Sequence, residues 1–209
     1  VHTSRDGVVY AFHDVELTRM TGTVSAFRDL DADGIDAIRV DGREPIPRLA
    51  ELLEAFPGAR FNIDVKADDA VEPTLDVLRA AGALDRVCLA SFSDARLLRI
   101  RAGAPGVPTG FSPREVAQLR FGPNGRVRTA GVRRGGACVQ VPLRRRRITV
   151  VTPGLVRRAH ALGVPVHVWT IDDPVEMAYL LDIGVDGLIS DRVDVLRDVL
   201  RQRGQWEEP

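Results

Sequence analysis

From Ala59 onward the hydrophobic positions alternate between two periods. Short apolar runs, ARFNIDVK (59–66), RVCLAS (86–91), VPTGF (107–111), ACVQV (137–141), VPVHVWT (164–170) and GLIS (187–190), read as strands. Between them lie stretches with apolar residues at helical spacing. One helix is predicted over Val71–Ala81, and one opens at Ser93-Asp94, residues that favour an N-cap. Another starts at Pro113, a residue tolerated in a first turn. Thr152-Pro153 opens a helix that Gly163 closes, Asp173-Pro174 opens one through Leu181 that Gly184 ends, and the last runs over Val193–Arg203. The result is a series of strand–helix units at spacings of about 25–30 residues.

Val, Ile, Leu and Ala strands that each lead into a helix imply an α/β fold with a parallel sheet covered on both faces. A doubly wound open sheet and an eight-stranded barrel both satisfy that pattern. A doubly wound dinucleotide domain would place G-x-G-x-x-G after a strand, and none stands there; the RRGGA stretch at Arg133–Ala137 precedes one. Polar residues collect at the carboxyl ends of strands: Asp64, Lys66, Ser91, Thr170 and Asp191. A (β/α)8 barrel builds its site at that end, so the barrel is the favoured reading.

The first 58 residues differ. DGVVYAFH (6–13) alternates like an extended segment after an Asp-Gly turn. A polar, turn-rich excursion over 13–45 follows, read as an irregular insertion between the second strand and its helix, RLAELLEAF (48–56). The 209 residues are expected to form one domain. A typical barrel is roughly 40 residues longer. The shortfall lies at the beginning, where the first strand–helix unit is expected to be absent.

Composition narrows the function classes. The chain is 44% hydrophobic and 28% charged, with equal numbers of acidic and basic residues, which argues against a nucleic-acid binder. The run Arg144–Arg147 has no interleaved aromatics and reads as a solvated loop. No stretch of about 18 apolar residues exists, so no membrane span is expected. The compartment expected is the cytoplasm, with a missing upstream segment able to have carried a signal. Val1–Asp6 is neither an initiator methionine nor a signal peptide, which points to sequence missing upstream. Cys88 and Cys138 sit in apolar runs and read as buried thiols. Of 29 Lys and Arg residues, one is lysine, Lys66.

Asp64 and Lys66 are two apart on one strand and therefore share a face. Charges in a barrel interior are seldom idle, although a plain ion pair satisfies the same spacing. His13, by itself, is a histidine at the end of a strand, and Trp169 is a large core side chain. His167 reads as a satisfied interior histidine, His160 as a surface one, and Gln140 as a residue able to hydrogen-bond inside the barrel.

In order along the chain, DGVVYAFHD, LTRMTG, IPRLAELL, FNIDVK, SFS, VHVWTIDD and GVDGLISD resemble the glycerophosphodiester phosphodiesterase family, from Val1 to about Val193. The resemblance implies metal-dependent hydrolysis of glycerophosphodiesters to glycerol 3-phosphate and an alcohol. It makes His13 the general acid, a role suited to an imidazole that titrates near neutrality, with Asp14 supporting it. Lys66 contacts the phosphate. Asp64, where the family usually carries Glu, ligates a divalent cation, Mg²⁺ or Ca²⁺. Trp169 and Phe92 pack against the glycerol or alcohol, with Thr170 and Asp191 in support. The family's His-Arg-Gly and Glu-x-Asp motifs are not present, since Val1 aligns just after them. With one candidate carboxylate left, weak cation binding and negligible activity of the 209-residue chain are expected. The alternatives are a catalytically dead barrel serving as a binding or interaction module, and a related cyclising phospholipase or lyase. The partner expected is a small phosphodiester. Exposed sheet edges are expected to favour self-association.

Overall fold

A computed structural model describes residues 1–206, which divide into two compact units, Val1–Ser112 and Pro113 onward. In the first unit, β1 (His2–Thr3) and β2 (Val9–Tyr10) form an antiparallel hairpin with His2 opposite Tyr10. The excursion after it holds α1 (Thr18–Thr21), a 3-10 turn at Phe27–Asp29, α2 (Ala32–Asp36), and the paired β3 (Arg39–Val40) and β4 (Glu44–Pro45). This segment has a core of its own, made by Tyr10, Leu17, Phe27, Ala32, Ile35 and Ile46. Phe27 lies at its centre, with the rings of His2, Tyr10 and Phe12 at 5.7, 5.5 and 5.5 Å. The Tyr10 hydroxyl donates to Asp36 Oδ1 at 2.8 Å, and Arg48 pairs with the same carboxylate.

The regular part of this unit follows the sequence closely. It comprises α3 (Leu49–Ala55), β5 (Phe61–Asp64), α4 (Val71–Ala80), β6 (Val87–Ala90), α5 (Asp94–Gly103) and β7 (Thr109–Gly110). The strands are parallel, with Ile63 opposite Leu89 and Asp64 opposite Ala90. Ser93 caps α5 by accepting from the Arg96 N–H. Ile63, Val65, Val87 and Leu89 pack with Leu75, Leu78, Leu97 and Ile100 in one core. Alternation therefore commits Asn62, Asp64 and Lys66 to the opposite face of the strand from that core.

The second unit starts with α6 (Pro113–Phe121), α7 (Gly125–Arg128) and α8 (Ala130–Arg133). Then come β8 (Gly136–Pro142), a hairpin of β9 (Arg144–Arg145) and β10 (Ile148–Thr149), α9 (Pro153–His160), β11 (Val166–Trp169), α10 (Pro174–Asp182), β12 (Gly187–Leu188) and α11 (Val193–Gln202). β11 lies between β8 and β12, parallel to both. Thr152 and Asp173 cap α9 and α10 through their side chains. Gly163 and Gly184 follow those helices at φ 68° and 88°, the left-handed geometry that stops a helix. Gly187 has another role: a Cβ there would sit 2.8 Å from His167 Cδ2, so a side chain at 187 would displace the ring. The arginine run forms the exposed β9–β10 hairpin.

Among the described residues no helix is long and apolar enough to cross a membrane. Cys138 is buried and Cys88 partly so, both as thiols.

Candidate functional site

The carboxyl ends of β5 and β6 and the loop after β2 line a cavity of about 800 Å³ in the first unit. His13, Asp14, Asp64, Lys66 and Phe92, five of the residues picked from the sequence, border it. Its other lining residues include Arg19 and Arg96.

Lys66 Nζ donates to Asp64 Oδ2 at 2.8 Å, and their side chains are 20% and 26% exposed. An ammonium has three donors, so two N–H groups of Lys66 remain for a ligand. The other carboxylate oxygen, Asp64 Oδ1, is buried without a hydrogen-bond partner among the described residues. A buried carboxylate oxygen normally has a partner, so an orphan beside a cavity marks an available acceptor.

His13 is open to solvent, with its side chain 78% exposed. Its Nδ1 lies 2.7 Å from Asp14 Oδ1, while Arg19 Nε donates to Asp14 Oδ2 at 2.6 Å. Hydrogen bonds from Arg19 and then His13 hold the Asp14 carboxyl down at about 2, so it is an acceptor at neutral pH. His13 therefore donates from Nδ1, and Nε2 is the nitrogen left to meet a substrate.

Trp169 and Thr170 lie in the second unit, bordering a separate cavity of about 320 Å³ with Pro142, Leu143, Arg144, Ile171 and Glu176. Near Asp191 the ordering carboxylate is that of Asp172, which accepts from Ser190 Oγ and from the Asp191 backbone N–H, each at 2.9 Å. Gln140 Nε2 lies 3.4 Å from His167 Nδ1, and His160 Nε2 lies 2.8 Å from Asp186 Oδ2.

Three residues of the first unit escaped the sequence reading. Arg96 ties the ends of β5 and β6 together: Nη1 donates to Val65 O and Ser91 Oγ at 3.0 Å, and Nε to Asp68 at 2.8 Å. Arg19 was in plain view within LTRMTG, but its pairing with Asp14 was not. His2 is buried, and its Nε2 donates to the His13 carbonyl at 3.2 Å.

The family resemblance implies a divalent cation. Asp64 Oδ1 fits as one hard oxygen donor. Among the described residues there is no group of three or more His, Cys, Asp or Glu able to hold a metal ion. Asp64 alone would supply one donor, well short of the six or more oxygens such ions take.

Burial also makes the fold sensitive to acid. Desolvation lowers the pKa values of His2 and His167 from the ordinary 6.5. Between the lowered folded value and 6.5, the unfolded chain binds protons that the folded chain does not. Stability therefore falls as pH drops through that window. Carboxylates such as Asp14 and Asp194, held at about 2, add a separate loss only below 3.8. The melting temperature is expected to fall on acidification from pH 7 to 5.5, and to fall less in a His2→Phe, His167→Gln variant. An unaltered pH slope in that variant would refute the assignment.

Comparison with known proteins bears on the whole chain. Residues 1–195 match the model of the glycerophosphoryl diester phosphodiesterase family. A relative in Mycobacterium tuberculosis, named a probable glycerophosphodiester phosphodiesterase 2, is 40% identical over 99% of this chain and 80% of its own length. Among solved structures, a putative glycerophosphoryl diester phosphodiesterase from Silicibacter pomeroyi superposes with a TM-score of 0.82 at 24% identity, covering 99% of this chain and 83% of that one. A phosphodiesterase from Oleispira antarctica, solved with the product sn-glycerol-3-phosphate, gives 0.80 at 18% identity over 95% and 82%. These likenesses carry the α/β barrel class of fold read from the sequence.

Proposed function

The chain belongs to the glycerophosphoryl diester phosphodiesterase family, whose members hydrolyse glycerophosphodiesters, and from that premise we propose how its first unit handles the phosphodiester. The observation that carries the proposal is the gathering of His13, Asp64 and Lys66 around one cavity, with a buried acceptor left open on Asp64.

Lys66 directs its two remaining N–H groups at a non-bridging phosphate oxygen and offsets the charge that develops there. His13, protonated, gives the Nε2 proton to the leaving alcohol oxygen as that P–O bond breaks, while a water oxygen forms the new bond to phosphorus and releases its proton to solvent. Asp14 stabilises the imidazolium and keeps Nδ1–H turned away from the substrate. Phe92 offers an exposed apolar face to the carbon skeleton of the glycerol or alcohol. Asp64 Oδ1 would hold a divalent cation, Mg²⁺ or Ca²⁺, which when bound supplies Lewis-acid charge to the phosphate. The products are glycerol 3-phosphate and an alcohol. A cytoplasmic setting belongs to the same proposal.

Hydrolysis of glycerophosphocholine, followed by phosphorus NMR across a Mg²⁺ or Ca²⁺ titration, tests the assignment: sustained release of glycerol 3-phosphate would set aside the expectation of negligible activity and give the rate against which the variants are read. With one carboxylate as anchor, half-saturation is expected at about 1 mM or above. Asp64→Asn is expected to require at least roughly tenfold more cation, since among the described residues no group of three or more metal-ligating side chains stands in reserve. Equal cation dependence in the two proteins would remove Asp64 from the metal.

A further inference from the structure

His13 poses a mechanical problem. Its imidazole is 78% exposed on a loop, so packing does little to choose its rotamer. A general acid nevertheless needs its donor atom held within hydrogen-bond reach of the leaving oxygen. Two lines of contact supply that restraint, and both begin in the small core around Phe27.

One line acts on the backbone. His2 is buried, its ring stacks on Phe27 at 5.7 Å, and its Nε2–H donates to the His13 carbonyl at 3.2 Å. A carbonyl only accepts, so this contact fixes the His2 tautomer as well. The other line acts on the side chain. Asp14 bridges His13 Nδ1 at 2.7 Å and Arg19 Nε at 2.6 Å. Arg19 lies in α1, which begins beside the fully buried Leu17 of the same core. The Met20 carbonyl next to it accepts from the Asp41 N–H at 3.0 Å, tying that turn to the hairpin of β3 and β4. Arg19 thus stands on an anchored turn. It places Asp14, and Asp14 places the imidazole.

We infer that His2 and Arg19 are positioning residues for His13, one holding its carbonyl and the other holding the carboxylate that orients its ring. The inference rests on the reading of His13 as general acid. His2 does not line the cavity; Arg19 borders it, but its Nε is spent on Asp14, and the role assigned to it runs through that carboxylate. Removing Arg19 frees Asp14 to swing, and His13 loses its fixed Nδ1–H tautomer. Removing the His2 donor loosens the loop that carries His13, while the Asp14–Arg19 pair remains.

The two arms have different signatures. In protein labelled with ¹⁵N-histidine, the His13 signals are identified by their loss in His13→Gln, and the wild type is expected to show the Nδ1–H tautomer. Arg19→Gln is expected to give a tautomer mixture, with kcat for glycerophosphocholine down about tenfold and KM within about twofold. Arg19→Lys retains charge but not the directed Nε–H, so it should recover only part of the rate. His2→Phe keeps a ring against Phe27 and loses the donor. It should lower kcat about fivefold and broaden the His13 signals without a tautomer change. His13 signals unchanged from wild type in both Arg19→Gln and His2→Phe would overturn the inference. His13→Gln separates that failure from another: full activity in this variant overturns the general-acid reading, and the catalytic half of the inference with it.

Discussion

If Lys66 contacts the phosphate as proposed, Lys66→Met is expected to lower kcat/KM for glycerophosphodiesters by about a hundredfold to a thousandfold, the range observed when a preorganised donor to a developing oxyanion is removed. Two effects act together. The substitution deletes the two N–H groups not used by Asp64, and it strips Asp64 Oδ2 of the ammonium 2.8 Å away. The uncompensated carboxylate then faces an anionic substrate across a cavity that it helps to line. Lys66→Arg keeps the charge but replaces a compact ammonium by a planar fork on a longer arm, so partial recovery is expected. Steady-state release of glycerol 3-phosphate measures both. A Lys66→Met enzyme within threefold of wild type would take Lys66 out of the phosphate site.

Tyr10→Ala is expected to cost about 3–5 kcal/mol of stability, the usual cost of truncating a fully buried aromatic ring. The ring is entirely buried, meets Phe27 edge-on at 5.5 Å, and carries a hydroxyl bonded to Asp36. Its loss opens a void in the small core and leaves Asp36 dependent on Arg48. Tyr10→Phe keeps the ring and should cost only about 1 kcal/mol, the net worth of a typical hydrogen bond. Denaturant unfolding at neutral pH distinguishes the two. Because His13 is three residues beyond Tyr10, the alanine variant should also lose activity below its unfolding midpoint. A Tyr10→Ala protein as stable as wild type would mean that the excursion is held by something other than this core.

The regular strand–helix units were legible because their signals are local. Ser93, Thr152 and Asp173 announce helices through bonds to N–H groups two or three residues away, and FNIDVK sorts Asp64 and Lys66 from Ile63 and Val65 by parity alone. Excursion 13–45 was opaque for the opposite reason. Its order comes from contacts such as Tyr10 with Asp36 and Arg5 with Asp31, 26 residues apart, which no periodicity encodes. Likewise α7 and α8 are each a single turn of helix, too short for a period to register. At the site, the resemblance drew attention to residues expected to touch substrate or metal. It was silent on Arg96, whose significance lies in the carbonyl and hydroxyl it joins, and on His2, 11 residues from the carbonyl it holds. Asp191 drew attention because it ends a motif, and nothing in that motif showed that Asp172 accepts from its backbone N–H and from Ser190 Oγ.

The scarcity of lysine has an experimental consequence. Reductive methylation with ¹³C-formaldehyde modifies amines, leaves arginine untouched and preserves the positive charge. In this sequence it has one ε-amine to find, Lys66, besides the chain's α-amine. A carbon–proton correlation spectrum of the modified protein would therefore contain a single ε-dimethylammonium signal, and that signal would come from the cavity itself. Its shift on titration with glycerol phosphate, a divalent cation or acid would report phosphate contact, metal occupancy and the charge of Asp64 from one nucleus.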